Sequence, residues 1–330
     1  MPALLLALLL QLAANDGARG LGEHRADDEG GGGRQAEQPR DHPHSGSGQH
    51  DLGRAEPVVK ESREGGTSVI RITSSAGVEQ VYRIDLSKRH TPATTKNNLL
   101  ANWESYRFGA FVCFNTNQFS GSEHCQIADP ELYNPQHLDV AGWVAAFKEA
   151  GMKYAVLTTR HTSGFLLWNS ATTDFDVASS GNPTDVCQEF VRECRRQGLV
   201  PAFYYCLWGG ESKPHPAARA ALLAQLYELA TRYGAIPYFW LDMMNWAPSD
   251  ITAQEIYDLL KTLQPNAVVE FNQHVQDGTQ IRYFPTDVVD GELVPPPATG
   301  HNPRRTIAGQ TYTVTQAGVP PTVAGMSPSS

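Results

Sequence analysis

The sequence predicts an α/β protein organised around a parallel sheet. A segment with helical periodicity, a short apolar segment and a polar loop follow one another four times from residue 139 onwards. The apolar segments lack the alternation of a half-exposed strand, which is typical of parallel strands buried on both faces. One of them, at 238–241, ends directly on the carboxylate of Asp242. Parallel sheets place their chemistry at the carboxyl ends of the strands, so this position predicts a functional site.

The N-terminal 66 residues are expected to lie outside the folded domains. The apolar run at 3–10 is too short to span a bilayer and is typical of a secretory signal peptide, with small residues near Gly20 for cleavage. We therefore expect a signal peptide at 1–20, no membrane span, and a secreted or periplasmic protein. Residues 21–66 are rich in Gly, Arg, Asp, Glu, His and Gln, which predicts a disordered linker.

The folded part is predicted to begin with a β-hairpin. Two short alternating segments, at 68–72 and 78–84, predict its strands. We place this hairpin in a lead-in at 67–96 and the main domain at 97–330.

The elements of the main domain can be placed in order. The first strand is predicted at 108–114. Asp139 can cap a helix with apolar residues spaced i, i+3, i+4 and i+7, and a strand at 154–159 follows it. Further helices are predicted at 185–197, at 217–233 and from a capping box of Thr252 and Glu255, each followed by a strand, at 200–206, 238–242 and 267–271. A weak sixth strand is predicted at 281–284.

Composition excludes some classes of function. The net charge of −9, without a basic stripe, argues against a nucleic-acid partner. The five cysteines show neither a disulfide framework nor the spacing of zinc ligands. We therefore expect no cofactor and no bound metal.

Side chains suited to carbohydrate chemistry follow several predicted strands. The loop after the first strand contains Glu123 and His124, His161 follows the second, and the fourth ends with Trp240 and Asp242. Carboxylates stabilise an oxocarbenium-like centre, His and Glu bind hydroxyl groups, and aromatic rings pack against sugar faces. Their common position at one edge of the sheet favours a carbohydrate site over separate structural roles, such as a loop cap for Asp242 or a core position for Trp240.

Several motifs resemble, in order and spacing, the core of the retaining α-L-fucosidases over about residues 103–271. They are Phe108-Gly109-Ala110-Phe111, Thr158-Thr159-Arg160-His161-Thr162-Ser163-Gly164-Phe165, Tyr204-Tyr205 and Phe239-Trp240-Leu241-Asp242. The resemblance implies a (β/α)8 TIM-barrel-like catalytic domain that hydrolyses terminal fucosides by double displacement. It implies that Asp242 is the nucleophile. It also implies a carbohydrate substrate, with sugar contacts from Glu123, His161 and Tyr205 and further candidates in His124 and Trp240.

The chain departs from the family motifs in the sugar pocket. Cys113-Phe114-Asn115 stands where the family has His-Trp-Gly, Thr162-Ser163 stands where it has His-Asp, and His124 replaces a Trp. These differences predict an altered pocket. Five strands and a weak sixth are found where a closed barrel has eight, so we expect either a barrel that is incomplete at its C-terminus or a shortened gene product.

The acid/base residue must be chosen by chemistry, because the family motif does not extend to it. A retaining glycosidase needs a second carboxyl group about 5–5.5 Å from the nucleophile. We predict Glu292, which follows Gly291 and precedes the stiff segment Pro295-Pro296-Pro297. Glu270 is the second choice, because it could point into the barrel from its strand.

Two other functions remain open. One is a catalytically impaired barrel protein that binds carbohydrate, which the departures in the pocket favour. The other is a metal-dependent hydrolase that uses His161, His124, Glu123 and Asp242. The second lacks a His-x-His or His-x-x-x-His spacing that would fix two ligands on one element.

Overall fold

The computed structural model describes residues 56–93, 98–122, 125–208, 217–274, 280–290 and 304–315, and the strands of these segments form three sheets. An antiparallel sheet contains β1 (Val58–Glu64), β2 (Thr67–Thr73) and β3 (Glu79–Asp85). The central, parallel sheet contains β4 (Gly109–Val112), β5 (Tyr154–Arg160), β6 (Val200–Cys206), β7 (Tyr238–Asp242) and β8 (Val268–Phe271). A small mixed sheet contains β9 (Val289–Asp290), β10 (Arg304–Ile307) and β11 (Gln310–Thr315).

The same segments contain α-helices between most of these strands. They are α1 (Asn98–Tyr106), α2 (Thr116–Ser120), α3 (Val140–Glu149), α4 (Val186–Gln197), α5 (Ala218–Arg232) and α6 (Ala253–Leu263).

The central sheet confirms the predicted α/β class. Its strands are neighbours in chain order, and α3, α4, α5 and α6 each connect two successive strands. Consecutive parallel strands connected through helices form the wall of a (β/α) barrel. Cys206 and Asp242 pair in register, so the carboxyl ends of β6 and β7 lie at the same edge.

The helix ends follow the capping residues in the sequence. Asp139 and Asp185 each accept a backbone N–H hydrogen bond at the start of α3 and α4. Thr252 and Glu255 form the predicted capping box of α6. Gly198 ends α4 with a φ of 83°, a left-handed conformation that costs glycine little. The helices predicted after β4, β5, β6 and β7 are confirmed as α3, α4, α5 and α6, and of these α5 begins without a side-chain cap, at Ala217.

The two faces of the central sheet bury different sets of side chains. Phe203 and Phe239 face the helices and belong to the main core. Tyr204 and Trp240 belong to a separate cluster on the opposite face, which Trp103 of α1 also contacts. Successive residues of a strand point to opposite faces, so only the second set shares a face with Asp242.

The N-terminal sheet and the segment after it are joined to the helices by polar contacts to buried carboxylates. Tyr82 of β3 donates a hydrogen bond of 2.7 Å to Glu228 of α5, whose fully buried carboxylate also accepts from Trp168 Nε1 at 2.8 Å. After β3, Arg89 forms an ion pair of 2.7 Å with Asp258 of α6. The antiparallel pairing of 68–72 with 78–84 is confirmed, but these strands belong to a three-stranded sheet that packs on the main domain.

The prediction of a disordered linker at 21–66 is wrong at its C-terminal end. β1 spans Val58–Glu64 and pairs with β2 along its whole length, with Lys60 opposite Arg71. The side chains of β1 are mostly polar and exposed, so its sequence lacks the apolar pattern of a strand. Main-chain hydrogen bonds to an already apolar β2 hold it in place.

The predicted sixth strand at 281–284 is not formed. The backbone N–H groups of Arg282 and Tyr283 donate to the side-chain oxygen of Gln273, at 2.7 and 2.8 Å. These donors are therefore used by a side chain, and the chain reaches a strand only at β9.

Residues 1–55, with the predicted signal peptide and most of the predicted linker, lie outside the described residues. Within the segments that are described, no helix is long and apolar enough to cross a bilayer.

Candidate active site

Asp242 lies at the carboxyl end of β7, and both of its carboxylate oxygens accept hydrogen bonds. Oδ2 accepts from the hydroxyl of Tyr204 at 2.7 Å. Oδ1 accepts from Asn272 Nδ2 at 2.9 Å and from the backbone N–H of Met243 at 2.7 Å. The residue is 8% exposed, so its carboxylate is fixed in orientation and still reaches the surface of the site.

The backbone after Asp242 turns sharply at Met243. This residue has φ 57° and ψ 39°, a left-handed conformation that an unbranched non-glycine residue adopts at a cost of about 1–2 kcal/mol. The N–H of Met243 donates to Asp242 Oδ1, and the left-handed conformation starts the 3-10 turn Met244–Trp246. The strained residue therefore directly follows the candidate nucleophile.

Tyr204 keeps its proton beside the carboxylate. Burial, together with the neighbouring Cys206 thiol and the Asp242 carboxylate, raises the pKa of Tyr204 well above its ordinary value of 10. The hydroxyl is therefore a hydrogen-bond donor to Asp242 throughout the neutral pH range.

Aromatic rings form the floor of the site next to Asp242. The ring of Tyr204 stacks between His161 and Trp240, with centroid distances of 5.9 and 5.2 Å and interplanar angles of 20°. Phe111 of β4 contacts Tyr204 and Trp240 edge-on, at 5.6 and 5.5 Å. The structure thus brings three sequence-predicted residues together, namely Asp242, His161 and Trp240.

Asn272 and His274 are functional candidates that the sequence analysis missed. Asn272 bonds Asp242 directly, and His274 Nε2 lies 3.6 Å from Asp242 Oδ1. His274 adopts a φ of 50°, and its backbone N–H donates to Asn272 Oδ1 at 2.8 Å. Asn272 follows β8 directly and His274 comes two residues later, so the rule that located the others, a polar side chain after a buried strand, would have found them.

Tyr205 does not face the site, in contrast to its predicted role. Its hydroxyl donates to Gln225 of α5 at 2.5 Å, and the Arg160 guanidinium lies 5.3 Å from its ring centroid. Alternation along β6 places Tyr205 on the helix-facing side and Tyr204 on the side of Asp242. The sugar contact expected from Tyr205 could instead be made by Tyr204, which lies on the side of Asp242.

Glu270 points into the barrel, as the sequence suggested, but away from Asp242. It pairs in register with Trp240, two residues before the end of β7, and its fully buried carboxylate accepts a hydrogen bond from Tyr238 near the start of that strand. Burial and this carboxylate also raise the pKa of Tyr154 to about 12. This placement does not suit an acid/base residue.

Three predicted site residues, Glu123, His124 and Glu292, lie outside the described residues. Of the four metal ligands in the alternative hydrolase, the structure therefore describes His161 and Asp242. Among the described side chains, no group of three or more His, Cys, Asp or Glu residues could hold a metal ion.

A cavity of about 350 Å³ lies between the end of β4, α2 and His161. Cys113, which is exposed, lines it together with Phe114, Asn115 and Thr158. Cys113-Phe114-Asn115 is one of the motif departures noted above, so this departure falls on the wall of an open cavity beside the floor of the site.

The chain is similar in sequence to known alpha-L-fucosidases. The chain matches the protein-family model of alpha-L-fucosidase over residues 87–292. It is 30% identical over 178 residues to Alpha-L-fucosidase 1 of Arabidopsis thaliana, which covers 51% of this chain and 35% of that protein. It is 34% identical over 147 residues to Putative alpha-L-fucosidase 1 of Oryza sativa subsp. japonica, with 42% and 28% covered. The chain thus spans about a third of the length of these curated relatives.

Two solved structures are also similar. A glycoside hydrolase 29 family member from an unknown rumen bacterium superposes with a TM-score of 0.51 at 28% identity, over 58% of this chain and 40% of that one. A putative alpha-L-fucosidase from Bacteroides ovatus gives a TM-score of 0.50 at 29% identity, over 56% and 35%.

Proposed function

Because the chain belongs to the α-L-fucosidase family, we propose that it is an exo-acting, retaining glycosidase that hydrolyses terminal α-L-fucosides. The observation that supports this most directly is the carboxylate of Asp242. It ends a buried strand, is held by three hydrogen-bond donors, and faces an aromatic floor that can pack against a sugar ring.

In the first step, a carboxylate oxygen of Asp242 attacks the anomeric carbon and the bond to the leaving oxygen breaks. A proton from a second carboxyl group goes to that oxygen, and a glycosyl-enzyme ester remains. In the second step the same group, now a carboxylate, takes a proton from water, which attacks the anomeric carbon and releases Asp242. We propose Glu292 for this acid/base role.

The protein side chains around Asp242 prepare it for attack. Tyr204, Asn272 and the Met243 N–H fix the rotation of the carboxylate, so that an oxygen lone pair need not be reoriented when the sugar binds. His161 would bind sugar hydroxyl groups, together with Glu123 and His124, which come after α2 in the sequence. Trp240 would support the ring indirectly, through its stack on Tyr204.

We also propose that the protein is secreted or periplasmic. The support is the apolar run at 3–10 followed by small residues near Gly20, which together have the layout of a cleavable leader. A carbohydrate substrate fits this location.

The proposal is tested by offering the protein a panel of aryl glycosides, fucosides included. Asp242→Gly should lower fucoside turnover by several orders of magnitude, and added azide should restore part of it as a substitute nucleophile. The matched control is Asp250→Asn, an exposed acid eight positions further along, which should keep full activity.

Two results would contradict the proposal. Near-native turnover by Asp242→Gly would remove the nucleophile assignment. Fucoside binding by the wild-type protein without any release of product would favour the catalytically impaired alternative.

A further inference from the structure

Two tryptophan rings lie together at the carboxyl edge of the sheet. Trp208 follows β6 after one intervening residue, and Trp246 ends the 3-10 turn after β7. Their ring centroids are 5.0 Å apart with an interplanar angle of 31°. Trp246 is 46% exposed, so a large part of its indole ring faces solvent.

The pair is held by the turn that directly follows Asp242. The backbone N–H of Leu207 donates to the carbonyl of Asp242 at 2.8 Å, and the N–H of Trp246 donates to that of Met243 at 3.0 Å. The left-handed conformation of Met243 sets the direction of this turn. The position of Trp246 relative to the candidate nucleophile is thus fixed by the backbone.

The pair also continues the floor of the site. Trp208 is partly buried and packs against the cluster that contains Tyr204 and Trp240. Aromatic surface therefore extends from the stacked rings near Asp242, through Trp208, to the exposed ring of Trp246. An extended aromatic surface of this kind suits a substrate with more than one ring.

We propose that Trp208 and Trp246 form the platform of a leaving-group subsite, which binds the pyranose ring to which the terminal fucose is attached. The inference rests on the proposed glycosidase function and makes the substrate class more specific: a fucosylated saccharide. The C–H-rich face of a hexopyranose, such as that of β-galactose, covers an exposed indole ring and removes apolar surface from water.

The platform is tested with two substrates that share the terminal sugar and differ in the leaving group. Fucosyl-(1→2)-galactose presents a pyranose ring to the platform, whereas fucosyl fluoride presents only a fluorine atom. Trp246→Ala should lower kcat/KM for the disaccharide by about 10- to 30-fold and leave that for the fluoride unchanged. Trp246→Tyr should recover part of the loss, because it restores an aromatic face.

Phe108→Ala is the matched control. Phe108 is an exposed aromatic residue of similar accessibility, at 53%, and it precedes β4 at the opposite edge of the sheet. Phe108→Ala should leave kcat/KM unchanged for both the disaccharide and the fluoride. If Trp246→Ala lowers kcat/KM equally for both substrates, or for neither, the platform proposal is refuted.

A binding measurement separates this inference from the proposed function. Tryptophan fluorescence of the wild-type protein should change on titration with methyl β-galactopyranoside, and Trp246→Ala should abolish the change. If this result is obtained but no fucoside is hydrolysed, the platform stands as a sugar-binding surface, and its role as a leaving-group subsite fails together with the glycosidase proposal. If fucosides are hydrolysed but neither the fluorescence nor the disaccharide kinetics depends on Trp246, the platform fails and the glycosidase proposal stands.

Discussion

The hydrogen bond from Tyr204 to Asp242 can be isolated by replacing Tyr204 with Phe. The substitution keeps the ring that stacks on His161 and Trp240 and removes only the hydroxyl that donates to Oδ2. Asp242 is 8% exposed, so water cannot fully replace this donor. Loss of a hydrogen bond to a charged group should lower the free energy of unfolding by about 1.5–3 kcal/mol.

A double-mutant cycle distinguishes the hydrogen bond from general effects of the substitution. With Asp242→Asn as background, the acceptor is neutral, and removal of the same hydroxyl should cost only about 0.5–1.5 kcal/mol. The difference, a coupling free energy of about 1–1.5 kcal/mol, belongs to the pairing of the hydroxyl with the carboxylate charge. Urea unfolding of the wild type, the two single variants and the double variant measures it.

The neighbouring tyrosine supplies the control. Tyr205→Phe removes a hydroxyl that donates to Gln225 on the other face of the sheet, so it should show no coupling with Asp242→Asn. Equal losses from Tyr204→Phe in both backgrounds, or coupling at Tyr205 in place of Tyr204, would refute the assignment of the two faces and with it the geometry of the site.

Two further predictions concern the acid/base residue and export. Glu292→Ala should slow fucosides with poor leaving groups far more than activated aryl fucosides, because only the former need protonation. Glu270→Gln alters a buried carboxyl group that is hydrogen-bonded to Tyr238, so in steady-state assays it should change turnover of both kinds of fucoside to the same extent. If the dependence on the leaving group appears only in Glu270→Gln, the acid/base role belongs to Glu270. Expressed from Met1 in a secreting host, the protein should appear in the medium or periplasm without residues 1–20. An intact N-terminus on protein retained in the cytoplasm, read by N-terminal sequencing, would contradict export.

Local signals in the sequence were sufficient to predict the central sheet and its helices. Asp139, Asp185 and the capping box at Thr252 satisfy the first N–H groups of a helix, and this requirement is independent of tertiary structure. The place of Asp242 in the fold could be predicted for a similar reason. The apolar run at 238–241 marks the strand, and the charged residue that follows this run lies at the carboxyl end of the strand. The fold class needed no more than these local rules.

The features that were missed depend on tertiary contacts. Both faces of β6 are buried, so its apolar run does not reveal whether Tyr204 or Tyr205 faces the site. β1 is ordered by hydrogen bonds to β2, which its own polar side chains do not encode. Gln273 captures backbone donors from residues nine and ten positions away, so the strand expected there could not be excluded from its own residues.

The left-handed backbone at Met243 restricts how this chain can diverge. A β-branched side chain at this position would clash with its own backbone, so Val, Ile and Thr are disfavoured for reasons unrelated to substrate. Gly, Asn and Asp, which adopt this conformation readily, are accessible replacements. The substitutions that position 243 can accept are therefore limited by the geometry of the main chain. The exposed Asn245 in the same loop has no left-handed backbone, so it should accept a wider range of side chains.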